Sequence, residues 1–377
     1  MREGWKETTL GEVAEVLDRF RKPVNATERE QRLGSVPYYG ATGRTGWIDE
    51  PLFNEELVLL GEDAIDFLNP TATKAYRIVG PAWVNNHAHV LRPIVSKILG
   101  MLLVELLNAV DYSQFTSYGT RSKLTQGSMM QITFLLPPLA EQKRIVDVIG
   151  AVDAYVASLE SYAHAARTAR AALLHELLTT NTKGWKETTL GEVADFINGY
   201  PFKPNDLGDE GIPVIRIKQL LDVGEPVDRT NVLVPLRCQL RDGDLVFSWS
   251  GTLAIRSWNR GPAYLNQHLF RVVEREGVQR SWLALCIDNA IGELSEKSHG
   301  TTMKHITKKT LLPHAVDLPP LAEQRRIVDV IGAVDGAIAG ADRAAEDARS
   351  LRSGLLSDLL SGDHGIPEAY DELLESA

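Results

Sequence analysis

Cysteine is nearly absent: Cys238 and Cys286 are the only two in 377 residues. Two isolated cysteines exclude a disulfide scaffold and a zinc site built on paired thiolates, and they fit a reducing cytoplasm. Long hydrophobic runs are missing as well. A stretch such as "ILGMLLVELL" (98–107) falls well short of the roughly 20 residues that span a bilayer. No apolar segment follows a basic start, which argues against a signal peptide. There is no glycine-rich loop ending in Gly-Lys-Ser/Thr, so an intrinsic ATP motor is not expected. An excess of positive charge is lacking too: the net charge is −10, which taken alone argues against nucleic acid as a partner.

That sum hides its distribution. Residues 17–136 carry 12 basic and 12 acidic side chains, residues 197–318 carry 15 and 14, and residues 362–377 carry 5 acidic and no basic ones. The two long segments are therefore neutral and free to present a local basic face. With 44% apolar residues the chain is globular and too long for one ordinary core.

Repetition is what the sequence has in abundance. "LPPLAEQKRIVDVIGAVD" (136–153) returns as "LPPLAEQRRIVDVIGAVD" (318–335), with 17 of 18 positions identical, and "GWKETTLGEVA" (4–14) returns unchanged at 184–194. The inserts between the short and the long repeat hold 121 and 123 residues and share little obvious sequence. A period near 182 is far too long for a solenoid, so the chain reads as a tandem duplication with two divergent inserts.

The long repeat reads as a helix start. Pro137-Pro138 and Pro319-Pro320 suit a first turn, where the missing N–H had no partner anyway. Apolar positions then run Ile145, Val148, Ile149, Val152, Val156, Leu159, Ala163, Ala166, Ala169, Leu173, Leu177, and in the second copy Ile327, Val330, Ile331, Val334, Ile338, Ala341, Ala345, Ala348, Leu351, Leu355, Leu359. Alternating spacings of 3 and 4 make a coiled-coil seam. Each helix is expected to run about 40 residues, roughly 60 Å. The expectation is that the two pair antiparallel about a pseudo-two-fold axis; the alternative is two amphipathic helices packed in separate domains. The inserts read as mixed α/β. "ELVLLGED", "KAYRIVG", "IPVIRIKQL", "GDLVFSWSG" and "HLFRVVE" are expected strands, and "ILGMLLVELLNAV" and "RSWLALCIDNAIGEL" expected helices.

The whole pattern resembles the specificity (S) subunit of type I restriction–modification systems. "GWKETTLGEVA" looks like the start of each half in that family, and the PPLAEQ helices look like the regions that follow its target recognition domains. "VPYYGATGRTGWIDEPLFNEELVLLGEDA" and "NNHAHVLRP" are similar to one recognition-domain subclass; "GIPVIRIKQL", "NQHLFRV" and "SHGTTMKHITKKTLL" are similar to another. The resemblance implies an α+β fold with two mixed α/β target recognition domains separated by a pair of long antiparallel coiled-coil helices. The expected segments are a first recognition domain (1–136), a first helix (137–183), a second recognition domain (184–318), a second helix (319–361) and an acidic tail (362–377). The tail is left open between a disordered end and a segment packed near Gly4.

The same resemblance implies a cytoplasmic, non-membrane protein that reads a split double-stranded DNA target. It would dock two adenine-N6 methyltransferase subunits and, in a full restriction complex, a motor-nuclease subunit, with no cofactor. The alternative is an S-like scaffold in another phage-defence or methylation-only system. A catalytic role is not expected. The Asn/Asp-Pro-Pro-aromatic motif is missing, Asn69-Pro70 continues as Thr71-Ala72 and reads as a turn, and "GATGRTG" has the wrong spacing for a nucleotide loop. His87, His89 and His268 are open as metal ligands, with a structural role favoured.

Base readout needs directional donors and acceptors, and phosphate contacts need cations and hydroxyls. In the first insert the glycine-flexible loop "YYGATGRTG" offers Tyr39, Thr42, Arg44 and Thr45, and "SYGTRSKLT" offers Tyr118, Thr120, Arg121, Ser122 and Lys123. In the second, "SWSGT" offers Ser248, Ser250 and Thr252, and "SHGTTMKHITKK" offers His299, Thr301, Thr302, Lys304, His305 and Lys308. Arg216 and Lys218 are expected on one face of a strand, for DNA or for solvent. Surface loops of this composition are common without a ligand.

Overall fold

A computed structural model of the chain describes residues 4–116, 123–296 and 305–371. It divides into two compact units, Met1–Leu159 with Ala344–Ala377, and Glu160–Arg343. In the first unit the repeated short word forms a strand, Lys6–Thr9, that pairs antiparallel with Thr133–Leu136 and so ties the beginning of the insert to its end. Two four-stranded sheets follow. One runs Ala14–Val16, Ala88–Pro93, Leu57–Gly61, Ala75–Ile78, all antiparallel. The other runs Gly43–Ile48, Val36–Gly40, Pro81–Val84, Phe53–Asn54 and contains one parallel pair, Val36–Gly40 beside Pro81–Val84.

The second unit repeats this arrangement. Lys186–Thr189 pairs with Ala315–Leu318. One sheet runs Ala194–Asn198, Leu269–Glu274, Leu245–Ser248, Ala254–Ser257; the other runs Arg229–Thr230, Ile212–Ile215, Ala263–Leu265, Gln239–Leu240, again with one parallel pair, Ile212–Ile215 beside Ala263–Leu265. Two inserts of unlike sequence thus take one strand order. The common ground is a hydrophobic pattern: Leu57 to Leu60 and Leu245 to Phe247 are continuous apolar runs with every side chain fully buried, which is how a strand covered on both faces reads. A helix covers each antiparallel sheet's apolar face, Gly100–Ala109 in the first unit and Arg280–Glu296 in the second.

The long repeat forms the two expected helices, Leu139–Thr179 and Leu321–Ser361. At each start Gln142 N–H donates to the Pro138 carbonyl (2.9 Å) and Gln324 N–H to the Pro320 carbonyl (3.0 Å). Each stops near a left-handed residue, Asn181 (φ 59°) or Gly362 (φ 77°), as helix C-termini often do.

The same glutamines tie each helix to its insert. Gln142 Oε1 accepts from Leu99 N–H (3.0 Å) while Nε2 donates to the carbonyls of Lys97 (2.8 Å) and Pro137 (2.9 Å). Gln324 Oε1 accepts from Gln279 N–H (2.7 Å) while Nε2 donates to Gly277 (3.0 Å) and Pro319 (2.8 Å). Leu99 and Gln279 each stand just before an insert helix, so one buried amide caps that helix and holds the chain on both sides of it.

Within each unit the first half of one long helix meets the second half of the other, antiparallel. In the first unit Arg352 binds Asp153 (2.5 Å) and Glu105 (2.7 Å); in the second Arg170 binds Asp335 (2.5 Å) and Asp288 (3.3 Å). Arg170 and Arg352 occupy the same place in the repeat, as do Asp153 and Asp335. These arginines correct the expected seam. Ala169 and Leu351 are exposed, because the next position, arginine in both copies, turns toward the partner helix instead. Leu174 and Leu178 are buried where Leu173 and Leu177 were expected to be the inner residues; the latter are half-buried. The middle of the seam stands as expected, with Val156, Ala163, Ile338, Ala341, Ala345 and Ala348 buried.

The tail packs in the first unit. Gly362 lies against the Trp5 ring, Ile366 packs on the core and Arg144 binds Asp371 (3.0 Å). Among the described residues no helix is long and apolar enough to cross a membrane.

Candidate nucleic-acid interface

Both units carry an Asn-x-His turn between the parallel-paired strand and the next antiparallel strand: Asn85-Asn86-His87 and Asn266-Gln267-His268. In each, the asparagine Oδ1 accepts from the histidine backbone N–H, at 2.8 Å and 3.4 Å. Asparagine suits this place because its short amide folds back on the chain two residues ahead. The turn leaves both imidazoles exposed.

Around it in the first unit lie two of the expected groups. Tyr39, next to last in its strand, accepts at its carbonyl from Asn85 N–H (3.0 Å). Strands Val36–Gly40 and Gly43–Ile48 are joined directly at Ala41-Thr42. The expected flexible loop is therefore a tight hairpin, because strand pairing continues to Gly40 opposite Gly43, where φ is 126° and glycine is required. Thr42, Arg44 and Thr45 are exposed at its tip, and Arg44 lies over the Trp47 ring at 4.4 Å. His87 Nδ1 meets Asp63 at 2.7 Å. Lys123 binds Glu62 at 2.9 Å, so it is already neutralised rather than free for a phosphate.

Glu62 also accepts from Arg21 (2.6 Å) and lies near buried His89, whose ring nitrogens meet Asp18 (2.5 Å) and the Leu124 carbonyl (2.9 Å). Burial pushes the Glu62 carboxyl up, but hydrogen bonds from Lys123 and Arg21 and the charge of His89 outweigh it and hold it below the usual carboxylate range. Asp18, Glu62 and His89 have the spacing of a metal site, but every one of them already has protein partners, so the cluster is read as structural cross-linking.

In the second unit the expected loop and segment converge. Ser250 forms a backbone bridge with His305, and its Oγ lies 3.4 Å from His268 Nδ1. Trp249 packs among His268, His305 and Phe270, with centroids 5.6–6.0 Å apart, and the Lys308 ammonium sits 5.2 Å above Phe270. Thr252 and Lys308 are exposed. Ser248 and Ser250 are corrected: both are buried, and the Ser248 hydroxyl donates to the Thr252 carbonyl (2.7 Å), closing the loop on itself. Arg216 and Lys218 are corrected as well. The strand ends at Ile215, and Arg216 N–H donates to the Gln219 side chain (3.2 Å), starting the short helix Ile217–Leu221. Arg216 then pairs with Asp228 (2.7 Å), while Lys218 is exposed. Tyr118, Thr120, Arg121, Ser122, His299, Thr301, Thr302 and Lys304 lie outside the described residues.

Sequence reasoning missed Trp249 by weighing the hydroxyls beside it, and missed a cleft of about 690 Å³ lined by Asn198, Tyr200, Arg237 and Lys308. Signals for both existed: a tryptophan between two serines, and a cation four residues from another in "KHITKK". The cysteines serve no chemistry visible here. Both are buried, and burial beside Asp317 pushes the Cys286 thiol up to about 12.

These two similar α/β units, each with an exposed histidine on an Asn-x-His turn, define a duplicated α/β protein. The family model for the type I restriction modification DNA specificity domain matches twice, over residues 2–163 and 182–343. The chain belongs to that family. A specificity subunit of Haemophilus influenzae, S.HindORF215P, is 33% identical over 153 residues, 40% of this chain and 37% of that protein. The EcoBI specificity subunit of Escherichia coli is 24% identical over 201 residues, 50% of this chain and 42% of that protein. The chain therefore matches about two fifths of the length of these relatives, both named as type I restriction enzyme specificity subunits. The solved S subunit from M. genitalium shares the fold, with a TM-score of 0.56 at 14% identity over 94% of this chain and 96% of that one.

Proposed function

We propose that the chain is the DNA-reading subunit of a type I restriction–modification assembly. Each insert reads one part of a split double-stranded target, and the long helices set the gap between the parts. The repeated helix surfaces dock two adenine-N6 methyltransferase subunits and, in a full restriction complex, a motor-nuclease subunit. The subunit performs no chemistry itself.

One observation carries this reading: two inserts of unlike sequence build the same strand order around the same Asn-x-His turn, once per unit. A shared frame with divergent side chains is what two readers of different base sequences need. Arg44 can address guanine with a planar fork, and Thr42, Thr45 and Thr252 can address base edges. Lys218 and Lys308 supply charge for phosphates, and Trp249 and His305 form an aromatic wall near Lys308.

The test is co-expression with a methyltransferase subunit and long-read detection of modified adenines. Inserting four residues into both long helices should lengthen them by roughly 6 Å and widen the gap by about two base pairs. Retained methylation at an unchanged gap refutes the spacer role. Exchanging residues 17–135 for another recognition domain should change one half of the target; a change in both halves refutes the modular reading. Lys308→Ala and His268→Ala should weaken binding about 5- to 100-fold at the second half-site alone.

A further inference from the structure

Residues 139–153 and 321–335 are identical except that Lys143 stands against Arg325, which keeps the charge. Their surfaces nevertheless differ. In the first unit the C-terminal segment lies on this face. Gly362 meets the Trp5 ring, and Trp5, only 4% exposed, donates from Nε1 to Glu141 (3.0 Å). Arg144 grips both carboxylate oxygens of Asp371 (3.0 Å each) and donates to the Ile366 carbonyl (3.4 Å), which leaves its side chain 10% exposed. In the second unit the matching Trp185 is half-buried, and the matching Arg326 side chain is 56% exposed beside Glu323 on its own helix (2.7 Å).

An exposed pair on one helix is weak and screened by salt, so Arg326 can exchange Glu323 for a carboxylate that approaches with better geometry. The charges are complementary. Each face carries two adjacent cations, Lys143-Arg144 or Arg325-Arg326, whereas residues 362–377 carry 5 acidic side chains and no lysine or arginine.

We propose that this face is a docking site for an acidic segment, filled in the first unit by the chain's own C-terminus and open in the second unit to a partner protein. The partner segment would present an aliphatic residue and, five positions later, a carboxylate, as Ile366 and Asp371 do. The two otherwise equivalent faces are then unequal: one is reserved in cis, and the other is available in trans. The inference stands apart from the DNA reading, since none of these residues belongs to the candidate interface.

The test uses the full-length chain and a fluorescein-labelled peptide of residues 362–377, followed by fluorescence anisotropy. The intact chain should bind one peptide saturably, with at least about tenfold loss in Arg326→Glu. A peptide carrying Asp371→Lys should regain binding to Arg326→Glu. The full-length Asp371→Lys variant, whose own tail is loosened, should bind two peptides. No binding to the intact chain, or binding unchanged by Arg326→Glu, would overturn the proposal. Dimerisation of the intact chain that Arg326→Glu abolishes would also overturn it, by making the occupant a second copy. DNA affinity should be unchanged in Arg326→Glu, so a failure here is distinguishable from a failure of the DNA reading.

Discussion

In the first unit Gln142 holds the insert through Leu99, Lys97 and Pro137; in the second Gln324 holds it through Gln279, Gly277 and Pro319. The inserts on the far side of these bonds share little sequence, and four of the six contacts involve residues that differ between the units; only Pro137 and Pro319 match. The difference is instructive because the latch uses only backbone groups of the insert. Backbone N–H and C=O are the same whatever the side chain, so the repeated word can stay constant while the insert diverges. The arginine bridges, by contrast, need an acid on the insert helix, and each insert supplies one: Glu105 in the first and Asp288 in the second.

Breaking the latch should have the largest effect. Gln142→Leu or Gln324→Leu strands three backbone groups, one buried and two partly buried, at about 1–3 kcal/mol for a buried group left unpaired and less for the others. A loss of roughly 3–6 kcal/mol is expected in either unit, read by urea denaturation of the full chain. If one substitution costs less than about 1 kcal/mol and the other several, the two latches are not equivalent. Cutting the arginine bridges should cost less. Arg170 and Arg352 are partly exposed and their acids more so, so Arg170→Ala and Arg352→Ala should each cost about 1–2 kcal/mol. Double-mutant cycles with Asp335 and Asp153 should return similar coupling energies in both units. A coupling in one unit only would mean that the helices pair differently at the two places.

Much of this frame was legible in the sequence because periodic burial writes itself into composition. The repeats, the 41-residue helices to within a few positions of each end, and the buried strands all follow local apolar patterns. What stayed hidden depends on contacts between distant residues. The seam's departure at Ala169 and Leu351 required knowing that the following arginine has an acid to meet more than 100 positions away. Arg216 looked like part of a strand because it alternates with isoleucines, and the capping amide of Gln219 decides otherwise. The candidate interface was half visible. Polar loops signal it, but the Asn-x-His turn that organises it and Trp249 beside the serines show their part only once distant strands are brought together.

The sharpest contrast between the units is also the mildest to disturb. The C-terminal segment has an ionic anchor in the first unit that the second lacks, and that anchor has a defined pH dependence. Hydrogen bonding from Arg144, with the charges of Arg144 and Lys143, holds the Asp371 carboxyl below its ordinary range. A carboxyl depressed in the docked state contributes fully above its undocked pKa, about 3.9, and its contribution is lost as the pH falls through the lowered value. Docking should therefore be unchanged from pH 8 down to about 5 and weaken only below about 4. A fluorophore on a cysteine introduced at the exposed Glu368 would report it by anisotropy, which falls when the segment is released. Release insensitive to acid but abolished by Ile366→Ser would assign the anchor to apolar packing. In Asp371→Asn the acid-induced release should disappear, leaving a weaker, pH-independent attachment.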